Sequence, residues 1–145
     1  MFLVIVVTGG SSHGGKLAEA YNPDGSLFCR LPDLELRRSS HTQVDLVLCA
    51  GGGDQNDVGA RNKCSRLDGD KWVTSHTLNR PRNSNSLHAM WKSPKGYVVL
   101  GGACCVYGDD GKVSCGPCDE DQVELLDNES GITKPFFNLT DTYRS

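Results

Sequence analysis

An apolar run that ends in glycine occurs three times in this chain, and it constrains the fold more than any other sequence feature. The copies read FLVIVVTGG, VDLVLCAGGG and GYVVLGG, and their glycine pairs end at Gly10, Gly52 and Gly102. Self-similarity at intervals of roughly 20 to 50 residues is typical of proteins built from stacked repeats. The sequence therefore predicts three related structural units.

The residues that follow each glycine pair also repeat. A polar loop, a strand, a tight turn and an aromatic-bearing strand come in the order AEAYNPDGSLFCRL, CSRLDGDKWVTSHTL and VELLDNESGITKPFFNL. An Arg-rich or Ser-rich segment comes next: LRRSSHTQ, RPRNSNSLHAMW and YRS. Each unit is therefore predicted to contain about four short strands, and the 17 Gly and 6 Pro residues favour short strands over long helices.

This pattern resembles the kelch repeat, in which apolar residues and Gly-Gly are followed by a Tyr and, at a fixed spacing, a Trp. The corresponding positions are Tyr21 and Phe28 in the first copy, Leu67 and Trp72 in the second, and Leu126 and Phe136 in the third. The resemblance implies an all-β chain of about three four-stranded antiparallel blades of a kelch-type β-propeller. The implied repeats cover approximately residues 1–37, 38–81 and 82–143.

In a kelch-like propeller each blade stacks on its neighbours, because one blade alone cannot bury both of its faces. The resemblance implies that aromatics such as Tyr21, Phe28 and Trp72 fill the space between blades. Closed propellers typically have four to eight blades, and this chain begins within the second strand of a blade. We therefore expect a fragment of a longer propeller, or a chain that pairs with a second copy to make six blades.

The first glycine-rich stretch, VVTGGSSHGGKLAEAY, also resembles two phosphate-binding turns. It departs from the turn of short-chain dehydrogenases at His13 and from the Walker A loop at Leu17. The turn sequence NPDG at residues 22–25 leaves space for only a short helix, whereas a parallel crossover needs about a dozen residues. We therefore interpret Gly9 and Gly10 as the end of a strand.

Four of the seven cysteines lie in the segment ACCVYGDDGKVSCGPCDED. Within it, Cys115-Gly-Pro-Cys118 is identical to the active-site tetrapeptide of thioredoxins, but the acidic residues 119–121 oppose thiolate formation. We expect at least one disulfide within this segment. The alternatives are reduced thiols, redox catalysis, or zinc bound by these two cysteines together with Cys104 and Cys105.

Two other cysteines could bridge neighbouring strands. Cys49 precedes one glycine pair and Cys64 begins the next strand, so a disulfide requires their Cα atoms to lie within about 4.4–6.8 Å. Cys29 is then left over, which suggests a partner outside the chain if the compartment is oxidising. Sequons that begin at Asn128 and Asn138 favour a secreted parent over a cytoplasmic one.

Composition excludes several classes of function. The net charge is −3 with both signs mixed along the chain, so neither a nucleic acid nor a membrane is expected as a partner. Acidic turns near Asp54, Asp68 and Asp109 lack the ligand spacing of an EF-hand loop, and the four histidines are dispersed. We assign no catalytic residue, no cofactor and no metal ligand.

The expected function is non-catalytic binding of a protein or glycan through loops on a rigid scaffold. The loops that we expect to form the recognition surface are Ser11–Lys16, Asp54–Lys63 and Ala103–Gln122. The alternative is an enzyme, either a thiol–disulfide oxidoreductase at Cys115 and Cys118 or a fragment of a galactose-oxidase-like oxidase. This functional step follows from family analogy, since a fold does not by itself determine function.

Overall fold

The computed structural model describes residues 3–10, 13–51, 62–117 and 123–137. These ranges form twelve strands in three antiparallel sheets, with a short 3₁₀ turn at His13–Gly15. The predicted all-β class is therefore confirmed. No helix in these ranges is long and apolar enough to cross a lipid bilayer.

The first and second sheets follow the chain order without crossovers. The first sheet contains β1 (Ile5–Thr8), β2 (Ala18–Tyr21) and β3 (Leu27–Arg30). The second sheet contains β4 (Thr42–Val44), β5 (Val47–Cys49), β6 (Lys63–Asp68) and β7 (Lys71–Thr77). Short antiparallel hairpins connect most neighbouring strands, as the spacing of turn residues predicts.

The third sheet is built around one long central strand. Its strands are β8 (Arg82–Ser93), β9 (Gly96–Tyr107), β10 (Val113–Pro117), β11 (Val123–Asp127) and β12 (Thr133–Phe137). Strand β9 pairs with β8 on one edge, and with β10 and β11 on the other. The predicted loop Ala103–Gln122 is therefore wrong in part, because residues 103–107 and 113–117 form a hairpin that extends the sheet.

Each sheet has a sharp turn formed by two consecutive residues with positive φ, which follows β1 or β5 directly in the first two sheets and lies within β9 in the third. We call these three turns the strand-end turns. They are Gly9 and Gly10, Ala50 and Gly51, and Gly101 and Gly102. The second turn thus begins one residue earlier than the sequence repeat predicts, and Gly52 lies outside the described residues. A Cβ on Gly51 would lie 2.6 Å from the Ser39 carbonyl oxygen, so close approach of the backbone requires glycine there.

The turn amides of the first sheet are used within the protein. Gly9 N donates to Leu17 O at 2.7 Å, and Gly10 N donates to Arg38 O at 2.8 Å. An anion site at this turn would need the same N–H groups to point at the ligand. The interpretation of Gly9 and Gly10 as a strand end, rather than a phosphate cradle, agrees with these contacts.

The cross-strand register corrects the assignment of the repeat aromatics. The residues opposite the Tyr-like positions Tyr21, Leu67 and Leu126 are Leu27, Trp72 and Thr133. Phe28 and Phe136 are therefore not equivalent to Trp72, because β-bulges and hairpins of unequal length shift the pairing. Trp72 is 4% exposed, as expected for an aromatic between sheets, whereas Phe28 is 59% exposed.

The second sheet is covered on both faces. One face packs against the first sheet through a cluster of Ala18, Leu34, Leu48 and Trp72. The other packs against the third sheet through a cluster that includes Cys49, Cys64, Met90, Val99 and Leu126. We call these contacts the first boundary and the second boundary, and apolar burial at both holds the three sheets together.

A disulfide lies at the second boundary. Cys49 and Cys64 are directly opposite each other in β5 and β6, their Cα atoms are 4.1 Å apart, and both are fully buried. The predicted cross-strand bridge is therefore confirmed, with Cα atoms slightly closer than the usual range. Among the described residues, Cys29 is a free cysteine and is half-buried.

Each boundary also contains a fully buried arginine. At the first boundary Arg38 Nη1 donates to Ala50 O at 2.8 Å and to Lys63 O at 2.9 Å, and Nη2 donates to Ser65 Oγ at 2.6 Å. Ser65 Oγ in turn donates to Glu35 Oε1, so a carboxylate supports the guanidinium through a hydroxyl. A buried cation needs such partners, since desolvation would otherwise be costly.

At the second boundary the carboxylate binds the arginine directly. Arg82 Nη2 and Nε donate to Glu124 Oε2 at 2.7 and 3.1 Å, and Nη1 donates to Gly101 O. The other oxygen, Glu124 Oε1, accepts from Asn79 N at 2.6 Å. This pair ties the start of β8 to β11 and to the segment that links the second and third sheets.

Candidate functional site

A cleft of about 520 Å³ opens at the second boundary. It is lined by Val47, Arg66, Ser75, His76, Tyr97, Asn128 and Gly131. A second hollow of about 410 Å³ shares Ser75, His76 and Gly131 and continues along β7 to Thr133. These volumes fall within the range of roughly 300–1,000 Å³ that small-ligand sites occupy.

A β-bulge places His76 in the cleft. Trp72 and His76 have the same parity in β7, and regular alternation would direct both toward the first sheet. The register slips between Cys64 and Ser65, whose partners are His76 and Thr74, so that Ser75 is the extra residue. His76 therefore lies on the face toward the third sheet, with its partner Cys64.

The hydrogen bonding of His76 determines its tautomer. Its side chain is 8% exposed, and Nε2 lies 3.2 Å from the carbonyl oxygen of Asp127. A carbonyl oxygen only accepts, so Nε2 carries the proton and Nδ1 of the neutral ring is an acceptor. Nδ1 is buried and has no hydrogen-bond partner among the described residues. An unmet buried acceptor costs about 1–3 kcal/mol, which a donor from a ligand would recover.

The turn after β11 carries Asn128 and Gly131 to the cleft. Asp127 holds this turn, because its Oδ1 accepts from Glu129 N at 2.9 Å and its Oδ2 from Lys134 Nζ at 2.6 Å. The hydrogen bond from Lys134, together with those from the turn amides, lowers the pKa of Asp127 to about 2. Asp127 is therefore ionised throughout the neutral range, and the turn keeps its shape.

Tyr97, which lies in β9 of the third sheet, also lines the cleft. Burial, and then the nearby charge of Asp45, raise the pKa of Tyr97, so its phenol remains a hydrogen-bond donor at neutral pH. Asp45 Oδ2 also accepts from Lys92 Nζ at 3.1 Å, which joins the β4–β5 turn to β8. The hydrogen bond to Asp45 raises the pKa of Lys92.

The cleft thus contains both hydrogen-bond donors and hydrogen-bond acceptors, and few charged groups. Arg66 provides a cation, Ser75 and Tyr97 provide hydroxyls, Asn128 an amide and His76 an imidazole acceptor. Among the described residues, no three His, Cys, Asp or Glu side chains come together as a metal site. This chemistry suits a neutral polar ligand that offers several hydroxyl or amide groups.

The predicted recognition loops lie partly outside the described residues. The structure does not describe residues 11 and 12 of the first loop, residues 52–61 around the second, or residues 118–122 of the third. Of the described part, Lys16 Nζ donates to Glu35 O at 3.1 Å, next to the first boundary. The sequence does not identify the cleft, because its four histidines are dispersed and nothing distinguishes His76 from the others.

The cysteine-rich segment is described at the level of the backbone over residues 104–117. Cys105 and Cys115 are directly opposite each other in β9 and β10, and Cys104 is opposite Gly116. Cys115 lies in a strand, whereas thiols of low pKa commonly lie at a helix N-terminus. Cys118 lies outside the described residues, so the disulfide, zinc and redox hypotheses for this segment stay predictions.

Comparison with known proteins assigns no family to this chain. The sequence matches no protein-family model, and no curated protein is significantly similar to it.

Proposed function

We propose that this chain is a non-catalytic binding module with kelch-like, propeller-type architecture, and that its ligand is a glycan or protein segment. Three observations support the architecture: three antiparallel sheets follow one another along the chain, the second is covered on both faces, and each has the same strand-end turn. Side-by-side stacking of small antiparallel sheets is how propellers bury their faces.

The cleft at the second boundary carries the functional part of the proposal. Its wall contains the buried acceptor His76 Nδ1, which no group in the described part of the chain satisfies, beside the exposed amide of Asn128. Such groups in a concave site determine the orientation of a polar ligand, whereas a purely structural groove would have its buried polar atoms paired. A sugar hydroxyl or a peptide N–H is a suitable donor for Nδ1.

Screening on a glycan array and on a peptide library, with the full chain as the probe, tests this proposal. Selected ligands should lose roughly tenfold or more in affinity for His76→Phe, since the ring shape is kept and the acceptor is removed. Arg66→Ala should also weaken binding. Arg30→Ala is the matched control, because Arg30 is a similarly exposed arginine paired with an aspartate in the first sheet.

Equal affinity of the wild-type protein and His76→Phe for every selected ligand would contradict the role of the cleft. Loss of binding in Arg30→Ala alone would instead move the ligand site to the first sheet. Thermal melting of each variant separates loss of the ligand site from loss of the fold.

A further inference from the structure

The two buried arginines bind equivalent acceptors in successive sheets. Arg38 donates to the carbonyl of Ala50, and Arg82 donates to that of Gly101; each acceptor is the first residue of its strand-end turn. Each arginine also binds a residue of the next strand in the sheet. That residue lies opposite the position three residues before the second residue of the turn. The two pairs of opposite residues are Leu48 with Ser65, and Val99 with Glu124.

In the first sheet the same two positions are occupied by Gly9 and Glu19. Val7 is opposite Glu19, and Gly9 N donates to Leu17 O as Ala50 N donates to Lys63 O. Glu19 and the Gly9 carbonyl therefore correspond to the acceptors that bind a guanidinium in the second and third sheets.

Among the described contacts of Glu19, none comes from an arginine. Its Oε2 accepts from Tyr21 Oη at 2.6 Å. Arg30 lies opposite Glu19 in β3, but its Nη2 donates to Asp33 Oδ1 at 3.2 Å. Glu19 is only half-buried, whereas its equivalents Ser65 and Glu124 are buried beneath a neighbouring sheet.

The face that carries Glu19 is also the apolar face that no described residue covers. Ile5 and Val7 share it and are 49% and 48% exposed, whereas Leu48 and Val99, the equivalents of Val7 in the other two sheets, are fully buried. The edge of β1 is open as well: β5 pairs with β4 and β9 with β8 on the corresponding edge, but β1 pairs only with β2 among the described strands. We call Ile5, Val7, Glu19 and this edge the open face.

We propose that the open face binds a β-strand led by an arginine, of the kind that Arg38 and Arg82 introduce in this chain. The strand pairs with the free edge of β1, its apolar side chains cover Ile5 and Val7, and its guanidinium binds Glu19 and the Gly9 carbonyl. This proposal rests on the stacked-sheet architecture and not on the ligand of the cleft. Addition of a strand to a sheet edge gives affinity through backbone hydrogen bonds, and the charged pair gives register.

The test uses a labelled synthetic peptide with the sequence of residues 36–45, LRRSSHTQVD, and the full chain. We expect saturable binding by fluorescence anisotropy, at least tenfold weaker for the peptide with Arg38→Gln and for the protein with Glu19→Gln. Combining both changes should cost little more than either alone, because each removes the same pair. Asp68→Asn is the matched control, since it removes an exposed carboxylate that is paired with Arg66 in the second sheet, away from Glu19, and it should not alter binding.

A second copy of the chain could supply the same strand. Sedimentation velocity then shows self-association of the wild-type protein that Glu19→Gln weakens, which supports the proposal with a copy as the source. The proposal would be overturned if the peptide did not bind at concentrations up to about 1 mM and the chain also showed no self-association that depends on Glu19. Equal binding of the two peptides would also overturn it. Because the cleft lies at the second boundary, glycan binding and strand binding succeed or fail separately.

Discussion

The two boundaries bury the same guanidinium group but differ in how its charge is met. At the second boundary Glu124 contacts Arg82 directly, whereas at the first boundary Ser65 separates Arg38 from Glu35. The arginine and the turn carbonyl are repeated, and the counter-charge comes from two different parts of the chain. The two boundaries therefore share a buried guanidinium that donates to a turn carbonyl, and they differ in where the carboxylate lies.

The largest effect is expected where the ion pair is direct. Glu124→Gln leaves Arg82 buried without a counter-charge, which should lower the free energy of unfolding by about 3–5 kcal/mol. Urea denaturation followed by circular dichroism measures this loss. Asp33→Asn breaks an exposed pair and should change stability by less than about 1 kcal/mol. A loss as small as that of the control would mean that Arg82 is effectively solvated.

The two boundaries also differ in covalent cross-linking, because the second boundary has a disulfide between β5 and β6 on the face toward the third sheet. Replacing Cys49 and Cys64 together by alanine should lower the free energy of unfolding by about 3 kcal/mol for a loop of 15 residues. Denaturation in oxidising buffer measures it, with Cys29→Ala as the single-thiol control. If reductant destabilises the double variant as much as the wild type, the disulfide is not the source of the difference in the free energy of unfolding.

A smaller effect is expected where the counter-charge acts through a hydroxyl. Ser65→Ala removes the contact from Arg38 to Glu35 but leaves two backbone carbonyls on the guanidinium, so the expected loss is about 1–3 kcal/mol. The comparison with Glu124→Gln is direct, since residues 65 and 124 have equivalent positions. A loss from Ser65→Ala that exceeds that from Glu124→Gln would reverse the proposed order.

The smallest effect is a change in acid stability near the cleft. The pKa of Asp127 is about 2 in the folded protein and about 3.8 in a model peptide, so its ionised form stabilises the fold above pH 4. This contribution is lost as the pH falls from about 4 to 2. Asp127→Asn should therefore be less stable than wild type at pH 6 and approach it at pH 2. If the free energies of unfolding of Asp127→Asn and the wild type fell in parallel from pH 4 to 2, the result would contradict the contacts of Asp127 with Lys134 and the turn amides.

Local sequence signals predicted much of the secondary structure. The NPDG turn forms as expected, with Asn22 N donating to Ser26 O and a positive φ at Gly25. Asp68 and Lys71 close a two-residue hairpin between β6 and β7. Turn residues specify backbone conformations within a few positions of themselves, so a single sequence is sufficient to locate them.

The candidate site was missed because it depends on register. His76 faces the third sheet only because Ser75 is an extra residue opposite β6, and no residue type at 74–76 marks a bulge. Likewise, the sequence repeat predicted the second turn at Gly51 and Gly52, whereas the close approach of Ser39 and His41 to Gly51 accompanies a turn at Ala50 and Gly51. A shift of one residue reverses the direction of every following side chain.

The hydrophobic pattern and the recurring glycines of the sequence predicted the all-β class and the three repeated turns, the second of them one residue too late. Residue spacing made Cys49 and Cys64 a candidate pair, and the register of β5 and β6 brings them together. Only the tertiary structure decided which side chains meet between sheets: Arg38 with Ser65, Arg82 with Glu124, and His76 with the Asp127 carbonyl. These partners are 27 to 51 residues apart. Their pairing depends on cross-strand register and stacking, which local propensities do not encode.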